Sequence, residues 1–198
     1  MKHALSICLL GIIGFGNISN ATVLTFNQSI QEESLNAKKK SSLKLYMTAK
    51  EANEIINIDK DNTLFLDIRT KAEIAYVGSP ENVDGMVPYM EHDSFMVWDQ
   101  KEKRFTLDLN PEFINGVKYF LSNKKLSKDS MVILICRSGD RSAKAADLLS
   151  KAGFTNVYSI AEGFEGDMSK AGRRDVNGWK NSNLPWTYTV NKDKLYSN

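Results

Sequence analysis

The chain has 198 residues, with 26 Lys and Arg against 24 Asp and Glu, for a formal net charge of +2. So even a balance supplies no basic stripe of the kind nucleic-acid binding requires, and no nucleic-acid partner is expected. Its two cysteines, Cys8 and Cys136, lie on opposite sides of the first boundary the sequence sets.

That boundary closes residues 1–21, "MKHALSICLLGIIGFGNISNA", which have the layout of a secretory signal peptide. Lys2 gives a basic start, an apolar run extends from Ala4 to Phe15, and Ser19 and Ala21 suit the small-x-small cleavage rule. The run is about a dozen residues long, short of the about 20 a membrane-spanning helix needs, so no stable membrane anchor is expected after cleavage. Cys8 sits inside the run, too early for lipid attachment behind a normal signal. Cleavage would leave about 177 residues, enough for one domain with a substantial core, in a periplasmic or secreted location. The remaining chain would hold one cysteine, Cys136, and one histidine, His92. An internal disulfide and the usual zinc ligand sets are then out of reach, and no metal or other cofactor is expected. An unpaired cysteine in an exported chain reads as free and reactive.

Residues 22–43 are polar, carry a Lys run at 38–40, and read as a flexible, solvated N-terminal arm. Thr48 followed by Glu51 makes a capping box ahead of Ala52, Ile55 and Ile56, so a helix starts there. "TLFLDI" (63–68) and "MVILIC" (131–136) are short, nearly continuous apolar runs that suit strands buried on both faces. Residues 77–110 break the rhythm and read as a long ordered loop or insertion. Residues 111–126 follow with a helical spacing of Phe113, Val117, Phe120 and Leu121 and with Pro111 at the first helical position. A further helix over 142–153 ends at Gly153, and 156–160 reads as another strand. Alternating strands and helices give an α/β fold: one domain over 44–190, a mostly parallel central sheet with helices on both faces, and a C-terminal tail at 191–198.

The chemistry concentrates in "CRSGDRS" (136–142). Cys136 stands at the carboxyl end of a buried strand, where open parallel sheets place their ligand sites. A tight strand-loop-helix turn aims backbone N–H groups and the positive end of the helix dipole at one centre. Gly139 lets the backbone bend, and Arg137 and Arg141 add positive charge. Such surroundings favour a thiolate and make a nucleophile. Asp140 runs against this trend. A buried cysteine merely closing a core strand is the plain alternative.

Here the chain closely resembles the rhodanese (sulfurtransferase) family. "CRSGDRS" is similar to that family's active-site loop. "FLDIR" (65–69) resembles its strand ending in Asp-x-Arg, with Ala72-Glu73 following. "GFTNVYSIAEGF" (153–164) and "GWKNSNLPW" (178–186) resemble its last strand and its ending. The resemblance implies that Cys136 carries a persulfide, with Arg137, Ser138, Gly139, Asp140, Arg141 and Ser142 binding the substrate. Asp67 and Arg69 would be structural supports, the Asp accepting loop N–H bonds and the Arg pairing with Glu73. The family's usual Gly-His-Ile-Pro-Gly-Ala stretch is replaced by "GSPENVDGMVPYM". The segments 86–110 and 165–179 exceed a minimal domain.

The expected reaction is double displacement. The Cys136 thiolate takes a sulfur from a donor such as thiosulfate and passes it to cyanide or a thiol, a protein thiol included. A sulfur-carrying or redox-sensing module with little turnover is the first rival. A phosphatase or arsenate reductase is the second, disfavoured because only residues 137–140 separate Cys136 from Arg141, a ring sized for one sulfur atom. His92, in a polar "EHD" stretch, reads as a surface residue. Trp179 and Trp186 read as core or pocket wall. Arg173 and Arg174 read either as solvated or as contacts for an anionic donor.

Overall fold

The computed structural model describes residues 29–196. The expected signal peptide lies outside the described residues. The first ordered strand, β1 (Tyr46–Met47), leads into helix α1 (Ala49–Ile58). Thr48 caps α1 in a full capping box: its hydroxyl accepts the Glu51 N–H while the Glu51 carboxylate accepts the Thr48 N–H. Strand β2 (Thr63–Asp67) follows, then α2 (Lys71–Val77), whose N-terminus repeats the device with Thr70 and Glu73.

The segment expected as an insertion contains short strands. β3 (Ser79–Pro80) and β4 (Gly85–Met86) come first, then β5 (Met90–His92), β6 (Trp98–Asp99), β7 (Arg104–Phe105) and β8 (Leu107–Leu109). β5 pairs with β8 and β6 with β7, both antiparallel, so 90–109 folds into two short ladders of its own. Helix α3 (Phe113–Asn123), β9 (Met131–Ile135), α4 (Asp140–Lys151), β10 (Val157–Ile160) and β11 (Trp186–Thr187) complete the chain. α3 begins later than its sequence pattern suggests. Asn110 accepts the N–H groups of Glu112 through its side chain and of Phe113 through its carbonyl, so Pro111 belongs to the preceding turn.

The central sheet is parallel throughout, in the order β1-β10-β9-β2-β4. Its two core strands are buried on both faces, as their apolar runs require. Side chains alternate between two cores. Leu64, Leu66, Val132, Leu134 and Cys136 face α3 and α4, through Phe113, Val117, Ala145 and Leu149. Phe65, Ile133 and Ile135 face α1 and α2, through Ala52, Ile56 and Ile74. Helices therefore cover both faces. Trp179 is fully buried against Phe65, with ring centroids 5.3 Å apart, and is core. Among the described residues no helix is long and apolar enough to cross a membrane.

The described part of the arm expected to be flexible is docked, and so is the start of the C-terminal tail. Within 29–43, Lys39 is only 8% exposed and its Nζ lies 2.6 Å from Asp167. Ser42 donates to the Asp147 carboxylate of α4 through both its N–H and its hydroxyl, and Ser41 N–H bonds the Tyr46 hydroxyl. The arm is polar because its partners are polar. At the other end, Tyr196 N–H bonds the Met86 carbonyl beside the sheet's β4 edge.

Candidate active site

Cys136 directly follows β9, and α4 begins four residues later at Asp140, two residues before the expected start. Gly139 makes that early start possible. As the N-cap of α4 it takes φ +95°, a conformation L side chains rarely adopt. The bend directs the Gly139 N–H onto Cys136 Sγ at 3.2 Å. Beneath the thiol, fully buried Ser142 has its Oγ 3.4 Å from Sγ, donates to the Gly139 carbonyl at 3.0 Å, and lies 2.7 Å from Ser159 Oγ. Cys136 itself is 1% exposed.

The turn after β10 holds the Cys loop from the side. The Cys136 carbonyl accepts the Phe164 N–H at 2.8 Å, and the Arg137 carbonyl accepts those of Glu165 and Gly166. With its carbonyls tethered there, the loop presents the Gly139 N–H to the thiol at the N-terminal end of α4. The approach is too close for side chains: a Cβ on Gly139 would lie 2.2 Å from the Ala161 carbonyl, and one on Gly163 would lie 2.4 Å from Ser138 N.

The charged residues are arranged differently from the sequence expectation. Arg69 does not pair with Glu73. Its Nε and Nη2 fork onto Asp67, both side chains are fully buried, and Nη2 also bonds the Gly78 carbonyl. Asp67 further accepts the Arg69 N–H and the Ser79 hydroxyl. The pair sits two residues apart on the strand-end turn and is completed by Gly78 and Ser79, not by Glu73. Glu73 is left to face the Cys loop, where it takes a bidentate pair from Arg141 at 2.7 and 2.5 Å. Burial acts to raise the Glu73 carboxyl. The Arg141 hydrogen bonds and charge, the Thr70 N–H and the Arg69 charge outweigh it and hold the pKa down from 4.5 to about 2. Burial likewise acts against the Arg141 charge, and Glu73 more than restores it, so Arg141 lies above its ordinary value.

A folded pKa below the unfolded one stabilises above the unfolded value, and the benefit is lost as pH falls through 4.5 toward 2. The full linkage is at most about 3 kcal/mol. Glu73→Gln is therefore expected to lower stability at pH 7 and to flatten the acid limb of the stability curve between those values. Urea titrations across pH check this; an unchanged acid limb would discount the pair.

Arg137 and Ser138 are half-buried at the loop's outer side, and Asp140 occupies the first turn of α4, where an acidic side chain complements the helix dipole. Burial first, and then the charge of nearby Arg174, lower the Arg137 pKa. His92 lines a cavity of about 390 Å3 to which none of residues 136–142 contributes. Among the described residues no cluster of His, Cys, Asp and Glu is placed to hold a metal ion. Sequence reasoning missed Ser159, Gly163, the Arg141–Glu73 pairing and the docked 29–43 segment. Of these, Gly163 alone left a visible mark, as the glycine of the turn in "IAEGF".

Several known proteins are similar to this chain. An uncharacterized protein of Rickettsia prowazekii, RP600, is 32% identical over 130 residues, covering 65% of this chain and 85% of the relative. The chloroplastic rhodanese-like domain-containing protein 4 of Arabidopsis thaliana is 30% identical over 140 residues, 70% of this chain and 25% of that protein. The crystal structure of Rv0390 from M. tuberculosis superimposes with a TM-score of 0.54 at 26% identity, covering 73% of this chain and 97% of that one. The model of the rhodanese-like domain matches residues 48–170, the stretch that carries four of the five strands of the central sheet, the Cys loop and the turn that clamps it. The chain belongs to the rhodanese-like domain family.

Proposed function

We propose that this protein is a sulfurtransferase that moves a sulfane sulfur from a donor such as thiosulfate to a thiol or cyanide through a persulfide on Cys136. The observation that carries this reading is Cys136 Sγ under the Gly139 N–H at 3.2 Å, at the N-terminal end of a twelve-residue helix. Donors arranged this way stabilise negative charge on sulfur before and after transfer.

In the first half-reaction the Cys136 thiolate attacks the outer sulfur of thiosulfate. An S–S bond forms, the donor's S–S bond breaks, and sulfite leaves with the electron pair. In the second, an acceptor attacks the outer persulfide sulfur and the Cys136 thiolate is regenerated. A protein thiol can serve as acceptor by the same chemistry. Ping-pong kinetics follow from the covalent intermediate. Arg141, fixed by Glu73, and Arg137 supply positive charge on the two sides of the loop.

Treatment with thiosulfate, 3-mercaptopyruvate or glutathione persulfide, read by intact mass and peptide mapping, tests this. One added sulfur on Cys136, removed by cyanide, is the expected result, and no adduct from any of the three donors would overturn it. The 1% exposure of Cys136 favours a second reading, a carrier or redox sensor with restricted access. Loading without catalytic release would establish it. Aryl phosphate hydrolysis dependent on Cys136 would instead indicate a phosphatase.

A further inference from the structure

A cavity of about 630 Å3 lies beside the Cys loop. Ser138 and Asp140 of the loop form one wall, Lys38 of the docked N-terminal segment another, and Glu162 and Arg174 close it. Its volume falls within the range of organic-ligand sites, roughly 300–1,000 Å3, well beyond what a small inorganic sulfur donor needs.

The structure separates the two adjacent arginines that the sequence left equivalent. Arg173 is exposed, whereas Arg174 is half-buried and lines the cavity. Arg174 is anchored by an Nη1 bond of 2.6 Å to the Gly166 carbonyl, and the Gly166 N–H bonds the Arg137 carbonyl of the Cys loop. Through that residue its position is fixed relative to Cys136. Among the described residues neither Arg137 nor Arg174 forms an ion pair, while Arg141, Arg69 and Lys39 each do. Arg137 Nε is also buried with no hydrogen-bond partner. Arg137 stands outside the cavity lining, and of the carboxylates within it Asp167 is paired with Lys39 and Glu162 accepts the Ala49 N–H, so Arg174 is the lining guanidinium left to meet an anionic group.

Building on the sulfur-transfer reading above, we propose that this cavity is the acceptor site, that it takes an organic thiol bearing a carboxylate, and that Arg174 is the specificity-determining residue that binds that carboxylate. The acceptor thiolate attacks the outer sulfur of the Cys136 persulfide. Its bond to that sulfur forms, the bond to Sγ breaks, the electron pair returns to Cys136, and the acceptor leaves as an organic persulfide. No oxidant or reductant is consumed.

The test uses the full chain, loaded first with thiosulfate and checked by mass, with glutathione and its diethyl ester as acceptors. The two thiols differ in carboxylate charge at the site. Wild type is expected to favour the free acid by about tenfold in kcat/KM, carried mainly by KM, as one charge-assisted hydrogen bond supplies. Arg174→Gln is expected to bring that ratio close to unity, and Arg174→Lys to retain part of it. Because the wild-type ratio needs no substitution, a poorly folded variant leaves the proposal open to refutation. Absence of the preference in wild type, or its survival in Arg174→Gln, overturns the assignment while leaving sulfur transfer intact. Failure of the loading step removes the sulfur-transfer reading and this site with it.

Discussion

Cys136→Ser abolishes the thiosulfate-dependent sulfur adduct and lowers sulfur transfer by roughly 10⁴-fold or more, as expected when the covalent nucleophile of a double displacement is removed. The substitution is a clean one. A serine Oγ at this position can still accept the Gly139 N–H and neighbour Ser142 Oγ, so the hydrogen bonds that shape the loop survive. What is lost is a sulfur nucleophile that can hold another sulfur in a reversible S–S bond. The thermal midpoint should therefore stay close to that of the wild type while the chemistry disappears. Mass after thiosulfate treatment and a cyanide-acceptor assay read the two halves separately. Turnover equal to wild type in Cys136→Ser would refute the nucleophile assignment, and a large drop in unfolding temperature would recast Cys136 as a structural residue.

The parts of this architecture that the sequence exposed are those where one physical requirement acts on contiguous residues. β2 and β9 are buried on both faces, and their uninterrupted apolar runs announce it. The Thr48–Glu51 capping box fixes the start of α1 for a similar reason, since donor and acceptor are three residues apart. β4 is two residues long and carries no run, so its place at the sheet edge was invisible. The Cys loop could be read as a site because its unusual residues are adjacent. The partner of Arg141 could not, because Glu73 lies 68 positions away and Arg69 offers a nearer, wrong match. The same distance problem hid the docking of 29–43: Lys39 meets Asp167 across 128 positions, and a polar composition looks alike whether its groups face water or each other. Local chemistry is written in order along the chain. Tertiary pairing of polar groups is not.

Gly163→Ala is expected to cost about 2–5 kcal/mol and to disable transfer, although the residue belongs neither to the Cys loop nor to α4. Two penalties combine. Gly163 has φ +68°, a conformation that costs an alanine of order 1 kcal/mol. Its added Cβ would also meet the Ser138 nitrogen at 2.4 Å and the Arg137 carbonyl group at 2.5 Å, all of them backbone atoms that cannot rotate away. Relief would require the Cys loop to move off the clamping turn, loosening the Phe164–Cys136 and Glu165–Arg137 hydrogen bonds that present the loop. Gly172 supplies the internal control. It has φ +74°, yet nothing lies within 4 Å of its Cβ position, so Gly172→Ala carries the conformational penalty without the collision. Urea unfolding should then separate the two variants by the steric contribution, and sulfur loading of Cys136 should fall in Gly163→Ala alone. Equal effects in both would mean that backbone strain, and not the interlocking of two loops, sets the requirement for glycine, and the clamp would lose its role in shaping the thiol site.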